Sequence, residues 1–312
     1  MRRVLAVFAA VGMVVAAVML RQAMDDGGDG DDDGDASYVV MCATDLADAC
    51  RELGSSVEVR TEDPADTAAA LADGSLPDDV DGWITSTAWL EIADSRAPNA
   101  LGEARAIATS PTVMATAPDR HDAITDLCAG QDVWQCLGER AGTSWADLGV
   151  GSSTWGELKV GVTDPDLAQG LPVLASAAAG FFGNLDFAAN DPRFSDFEGW
   201  LANVAEPSES GDPNPALTLA TRPGTYSAAG AVAPSVEQVS ARGFDAIEPD
   251  VPVAATIAIA ELARGDGLPG TDGVRDALED RGWTRADEAD LAPTLKPGVM
   301  AALHSLWRAV TT

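Results

Sequence analysis

The sequence predicts an α/β fold of two lobes joined by two extended crossovers, and three observations support this class. Short apolar runs alternate with helical segments from Tyr38 to Trp89, which is typical of βαβ units and a parallel sheet. A long, β-branched, extended segment at Ala106–Ala117 interrupts this alternation, and Ile247–Val253 is extended again. We interpret these two segments as the passages from the first lobe to the second and back.

The first lobe is predicted to comprise residues 37–108 and 252–312. Its apolar runs predict strands at Tyr38–Cys42, Val57–Arg60 and Gly82–Thr85. Helices are predicted at Leu46–Leu53, Thr67–Ala72 and after Ser86, and then at Ala255–Arg264, Thr271–Arg281 and Gly298–Val310. The last helix is amphipathic, so one of its faces should pack against the core.

The second lobe is predicted to comprise residues 112–248. We expect a helical region at Asp122–Arg140, strands at Leu158–Val162 and Ala216–Ala220, and a helix of small residues at Val173–Gly180. Ligands of open parallel sheets bind beyond the carboxyl ends of the strands. Two lobes that face each other therefore form a cleft lined by the loops between strands and helices.

The N-terminus predicts export from the cytosol. Arg2 and Arg3 precede an unbroken apolar run, Val4–Leu20, so residues 1–23 are either a cleaved signal peptide or an uncleaved membrane anchor. The basic residues place the rest of the chain outside the cytosol. We expect a protein tethered at the cell surface through this helix alone, or a secreted one if the signal is cleaved.

Residues 24–36 form an acidic linker. Seven of the eleven residues in Asp25–Asp35 are Asp and the other four are Gly, a composition that stays extended and disordered. A calcium loop is the alternative, but an EF-hand needs a closing Glu and flanking helices that are missing here. The formal net charge of −31 excludes nucleic acid as a partner and disfavours an anionic membrane surface.

Four cysteines form two close pairs, Cys42 with Cys50 and Cys128 with Cys136. An even number of cysteines in an exported chain favours disulfides over metal or redox sites. The spacing within each pair is too wide for a Cys-x-x-Cys zinc site. Two local disulfides, 42–50 and 128–136, are the most economical of the three possible pairings.

Four stretches of this chain carry a family resemblance: Asp81–Trp89, Ala108–Val113, Trp155–Pro165 with Gly170-Leu171, and the C-terminal helix Leu303–Val310. In these stretches, and in the order of its elements, the chain resembles bacterial extracellular solute-binding proteins of the type 2 periplasmic-binding class. More narrowly, it is similar to actinobacterial substrate-binding-domain proteins related to the molybdate-binding branch. The resemblance implies a two-lobed periplasmic-binding-protein-like fold with two extended hinge crossovers.

The resemblance also implies a ligand site between the lobes. The loops that match the family's site supply Thr44, Asp45, Ser86, Thr87, Ser110, Thr112, Gln169, Gly170, Thr225 and Tyr226. The N–H groups at a helix start such as 168–170 suit an oxyanion or a carboxylate. Taken alone, each hydroxyl is better explained as a helix cap, because Ser and Thr are preferred N-cap residues. Structural roles are also the simpler explanation for Trp89, Trp155, Arg222 and His304.

The leading functional hypothesis is a non-catalytic binding protein that captures a small solute, such as an oxyanion or another small anion, for an ABC-type transporter permease. The sequence has no nucleophile elbow, zincin motif, P-loop or dinucleotide fingerprint, so we expect no enzyme activity, metal or cofactor. The first alternative is a membrane-tethered surface or sensory protein that keeps the fold without transport. The absence of a lipobox cysteine and the presence of Ala168, instead of Ser or Thr, at the helix start favour it. A secreted hydrolase is a third, disfavoured, alternative.

Overall fold

In a computed structural model, the described residues are 38–205, 211–222, 224–262, 267–286 and 295–312. The predicted signal peptide or anchor and the whole of the acidic linker lie outside them. The strands are β1 (Tyr38–Ala43), β2 (Val57–Glu62), β3 (Gly82–Ser86), β4 (Leu101–Thr116), β5 (Val160–Val162), β6 (Ala228–Val232), β7 (Asp245–Ile247), β8 (Ala254–Leu262) and β9 (Thr284–Arg285). Among the described residues, no helix combines the length and the apolar character that a membrane span needs.

The described chain contains twelve α-helices. They are α1 (Ala47–Cys50), α2 (Pro64–Asp73), α3 (Thr87–Arg96), α4 (His121–Leu127), α5 (Val133–Arg140), α6 (Trp145–Leu148), α7 (Gly170–Phe182), α8 (Phe194–Ala205), α9 (Pro215–Thr221), α10 (Ala233–Ser240), α11 (Asp272–Glu279) and α12 (Pro297–Thr311). Three of them, α2, α9 and α12, begin with proline, whose missing N–H costs nothing at a helix start.

The strands are ordered β2-β1-β3-β8-β4-β6-β5, with β7 and β9 paired to β4. Parallel pairs join β1 to β2 and β3, and β5 to β6, whereas β8 runs antiparallel to both β3 and β4. The sixteen-residue β4 pairs with β8 through Leu101–Pro111 and with β6 through Thr112–Thr116. It therefore belongs to both halves of the sheet.

These halves form the two lobes of the fold. Lobe 1 is built on β1, β2, β3, β8, β9 and the first part of β4, and lobe 2 on β5, β6, β7 and the last part of β4. The predicted crossover at Ala106–Ala117 is confirmed as the part of β4 that passes between the halves. The second crossover, between β7 and β8, returns the chain to lobe 1.

Two element predictions were wrong. The segment predicted as the helix Ala255–Arg264 forms the strand β8, which lies between β3 and β4 at the centre of the sheet. The segment predicted as the strand Ala216–Ala220 forms the helix α9, capped by the Asn214 side chain, which accepts the N–H of Leu217. A buried apolar run has no exposed face to reveal its period, and this explains the first error.

Both predicted disulfides are confirmed. Cys42, at the end of β1, is bonded to Cys50 at the end of α1. Cys128, after α4, is bonded to Cys136 within α5. Each bond therefore joins neighbouring elements of one lobe and leaves the passage between lobes free.

Candidate functional site

A cavity of about 330 Å³ lies between the lobes, a volume within the usual range of small-molecule sites. Lobe 1 lines it with Asp45, Leu46, Asp48, Ala49, Leu278, Arg281 and Trp283, and lobe 2 with Gln169, Pro213, Asn214, Pro234, Ser235 and Gln238. The cavity is thus bounded by the turn after β1, the end of α11, the start of α7 and the α10 helix. A second cavity, of about 270 Å³, is confined to the α2 side of lobe 1.

Asp45 is the predicted site residue that most directly joins the two lobes. It lies in the turn after β1, and its carboxylate accepts the backbone N–H of Ala168 at 3.2 Å and that of Gln169 at 3.0 Å. These residues immediately precede α7 in lobe 2, and Gln169 is its N-cap residue. Burial raises the pKa of the Asp45 carboxyl, and the two N–H donors oppose that rise.

Gly170 follows at the first position of α7, and its lack of a side chain is required there. A Cβ at this position would lie 1.7 Å from the carbonyl oxygen of Asp164. The Asp164 carboxylate stabilises this turn, because it accepts the N–H of Asp166 at 3.0 Å. The predicted residues Gln169 and Gly170 therefore lie where α7 begins, next to Asp45 of lobe 1. Gln169 also lines the cavity.

A second group of lobe 1 residues, outside the cavity, also holds the turn before α7. Oδ1 of Asp166 accepts a hydrogen bond from Nε2 of His304 on α12 at 2.6 Å, and this bond lowers the pKa of the Asp166 carboxyl. The Trp89 indole donates to the Leu167 carbonyl at 3.0 Å and meets the His304 ring edge-on at 4.8 Å. His304 is thus structural, as expected, and it ties the C-terminal helix to the turn.

Ser110 and Thr112 lie at the crossover, where their hydroxyls bond the backbone. The N–H and the hydroxyl of Thr112 both donate to the Val253 carbonyl, at 2.9 and 2.8 Å. The Ser110 hydroxyl donates to the Pro111 carbonyl at 3.3 Å. The two crossover segments are consequently bonded to each other, and the hydroxyls of Ser110 and Thr112 bond backbone carbonyls there.

Ser86 and Thr87 stand at the start of α3, where β3 ends. The Ser86 side chain is fully buried, and its hydroxyl finds no hydrogen-bond partner among the described residues. The same holds for Thr85. Ser86 therefore does not cap α3 through its side chain, contrary to the structural alternative considered from the sequence. Neither Ser86 nor Thr87 lines the cavity.

The structure places Thr44, Thr225 and Tyr226 outside the cavity. The Thr44 hydroxyl donates to Asp63, the residue before α2. Tyr226 is buried in the core of lobe 2, and its hydroxyl donates to the Asp212 carboxylate at 3.1 Å. Thr225 belongs to the turn that leads into Tyr226.

Several cavity residues were missed by sequence reasoning. They are Asp48, Asn214, Ser235, Gln238, Arg281 and Trp283. Asn214 carried a usable signal, because an Asn directly before a Pro marks a helix start. Arg281 and Trp283 follow α11 and reach the cavity because α11 packs against α1, a contact that no local pattern reveals.

No group of three or more His, Cys, Asp or Glu side chains in the described ranges is arranged to hold a metal ion. The candidate site is a cavity lined by amides, a hydroxyl, two carboxylates and a guanidinium, together with apolar side chains. Such a set of groups binds by hydrogen bonding and shape.

Comparison with known proteins finds likeness only at the level of structure. No family model matches the chain, and no curated protein matches its sequence. The periplasmic binding protein AfuA from Actinobacillus pleuropneumoniae, solved with fructose-6-phosphate, is 12% identical with a TM-score of 0.54; the match covers 88% of this chain and 96% of AfuA. The fold is that of a periplasmic binding protein.

Two further structures support this periplasmic-binding-protein fold. The ferric binding protein from Campylobacter jejuni is 10% identical with a TM-score of 0.54, and the match covers 88% of this chain and 96% of that protein. Iron-bound HitA from Pseudomonas aeruginosa is 13% identical with a TM-score of 0.53, and the match covers 88% of this chain and all of HitA. The expected likeness to the molybdate-binding branch stays a prediction.

Proposed function

We propose that this chain is an exported solute-binding protein that captures one small polar solute between its lobes and delivers it to an ABC-type transporter. The observation that carries the proposal is the cavity between the lobes, whose wall is supplied by both lobes. A solute that contacts both walls favours their close approach, because it gains contacts only when the lobes are together.

The bonded crossovers suit such a motion. Thr112 and Val253 hold the two crossover segments side by side, and we propose that the predicted lobes, 37–108 with 252–312 and 112–248, move about them. Rotation there changes few backbone angles and leaves each lobe intact. Hinges of this kind are a few residues at the ends of elements.

A polar solute also fits the wall chemistry. Gln169, Asn214, Ser235 and Gln238 offer neutral donors and acceptors, and Arg281 offers a cation. The predicted oxyanion would have to bind at Arg281, because Asp45 already accepts the N–H groups at the start of α7. We infer no catalytic role, since the wall contains no nucleophile paired with a base.

An extracytoplasmic location completes the proposal. The predicted signal or anchor at residues 1–23 and the two disulfides both suit an oxidising compartment. The alternative function is a tethered surface or sensory protein without transport. The direct bonding of Asp45 to α7 favours that alternative, because a side chain takes the position that a transported anion would need.

Calorimetric titration against a panel of sugars, polyols, amino acids, oxyanions and short peptides tests the proposal. We expect one solute class to bind with one site per chain. Gln238→Ala removes an exposed cavity amide and should weaken that binding by up to about tenfold, the worth of a neutral hydrogen bond. Gln135→Ala, outside the cavity on α5, is the matched control and should bind like the wild type. Binding that Gln238→Ala does not weaken would place the site elsewhere.

A further inference from the structure

The start of α7 is capped by the opposite lobe. The thirteen-residue α7 has no acidic residue in its own first turn, and Gln169 makes no side-chain cap. A helix N-terminus carries unpaired N–H groups and a partial positive charge, which favour an anion. Here the anion is the Asp45 carboxylate, whose two oxygens accept the N–H groups of Ala168 and Gln169.

The same two residues also face the cavity. Asp45 and Gln169 both line its wall, so the capped helix start is part of the surface that a solute meets. A solute anion that approached α7 would compete with a carboxylate that the fold already holds in position. It would also meet the repulsion of that carboxylate and of a chain with a formal net charge of −31.

The other charged groups of the wall, Asp48 and Arg281, are exposed. Asp48 forms an exposed ion pair with Arg51, and the Arg281 guanidinium donates to the Ala277 carbonyl while its side chain lies at the exposed rim. The remaining polar groups of the wall are neutral: the Asn214 and Gln238 amides, the Ser235 hydroxyl, and the Gln169 amide, which also donates to Asp45.

We propose that Asp45 is the specificity-determining residue of this cavity: as a built-in anion at the start of α7, it rejects anionic solutes, and the cavity takes an uncharged polar solute such as a sugar or a polyol. This inference rests on the proposed function and narrows its solute class. It replaces the small anion that the sequence predicts as ligand. The rise that burial causes in the pKa of the Asp45 carboxyl fits a group held inside the contact between the lobes.

Removing the built-in anion tests the inference. Acetate and sulfate are titrated into the wild type, Asp45→Ala and Asp48→Ala, with calorimetry and melting temperature as readouts. Acetate should bind Asp45→Ala at least about tenfold more tightly than it binds the wild type, since a freed helix start favours an anion. Asp48→Ala removes one charge from the same wall without freeing a helix start, so its acetate response should equal that of the wild type.

Asp45→Asn covers the case in which Asp45→Ala does not fold. It keeps the side-chain shape and one acceptor while losing the charge, so acetate should raise its melting temperature by less than that of Asp45→Ala but by more than that of the wild type. The inference is overturned if no folded Asp45 variant gains an acetate response, or if the wild type binds acetate or sulfate equally well. Tight oxyanion binding by the wild type would overturn it while leaving the proposed solute-binding function standing.

Discussion

The carboxylate of Asp45 accepts the backbone N–H of Gln169 at 3.0 Å, across 124 positions of sequence. This bond joins the turn after β1 in lobe 1 to the start of α7 in lobe 2, at the edge of the cavity. The contact between the lobes is therefore made by a charge and a helix dipole as well as by apolar packing, and single substitutions can test it.

Asp45→Ala should lower the free energy of unfolding by about 1–2 kcal/mol, the usual cost of losing a helix cap. The loss arises because two N–H groups at the start of α7 lose their acceptor. Urea denaturation followed by tryptophan fluorescence measures it. Asp48→Ala is the control, and it should change stability by less than about 1 kcal/mol because its pair with Arg51 is exposed. Equal losses in the two variants would contradict a special role for Asp45.

Gly170→Ala should destabilise the protein by about 1–3 kcal/mol or more, the cost of overpacking a close contact. The added Cβ would meet the Asp164 carbonyl at 1.7 Å, and backbone cannot rotate away as a side chain can. Gly199→Ala is the matched control, because Gly199 lies within α8 and its Cβ would meet nothing within 4 Å. There alanine should stabilise the protein by up to about 1 kcal/mol. Tolerance of both substitutions in thermal melts would show that α7 does not start as described.

The Asp166 carboxyl should make stability depend on pH. Its pKa in the folded protein lies below the usual value of 3.8, chiefly because His304 donates to it. A folded pKa below the unfolded one stabilises the protein above the unfolded value, and this stabilisation is lost as the pH falls through 3.8 and then through the folded value.

Asp166→Asn should therefore show a shallower loss of stability than the wild type as the pH falls below about 5, measured by urea denaturation across the acid range. Asp186→Asn is the control, because Asp186 pairs with Lys296 at 2.7 Å but both side chains are exposed. Its acid profile should stay close to that of the wild type. Identical profiles for wild type and Asp166→Asn would rule out the effect.

Each disulfide should stabilise the fold through its short loop. The paired cysteines are eight positions apart, and closing so short a loop in the unfolded chain is worth about 2–3 kcal/mol in the chain-entropy account. Replacing Cys42 and Cys50 together by alanine should lower unfolding stability by that amount under oxidising conditions. The same variant under a reducing agent should lose less relative to reduced wild type. An oxidised double variant as stable as the wild type would contradict the prediction.

Much of the fold could be predicted because strands and helices alternate regularly in the first part of the chain. The strands β1, β2 and β3 and the long crossover in β4 follow from apolar runs and turn residues. The strand β6 was missed because its sequence, Ala228–Val232, consists of Ala, Gly and Val. Small residues are needed there, since a Cβ on Gly230 would lie 2.2 Å from the Trp134 ring. Packing, and not β propensity, selects that strand.

The candidate site was predictable only in part. Asp45 and Gln169 could be proposed because the loops that contain them match the site loops of the family that the chain resembles. The roles of Thr112 and Tyr226 could not, because hydroxyls in such positions satisfy backbone or core carboxylates as readily as ligands. Arg281 and Trp283 reach the cavity because α11 packs against α1. The spacing of residues in the sequence does not predict this contact.

Titration of the wild type and of Gln238→Ala with the panel of neutral and anionic solutes tests the central claim most directly. We expect saturable binding of one uncharged polar solute at one site per chain, weakened in Gln238→Ala and unchanged in Gln135→Ala. If no solute of any class binds the folded protein, or if the Gln238→Ala variant binds as tightly as the wild type, the cavity between the lobes is not a solute site.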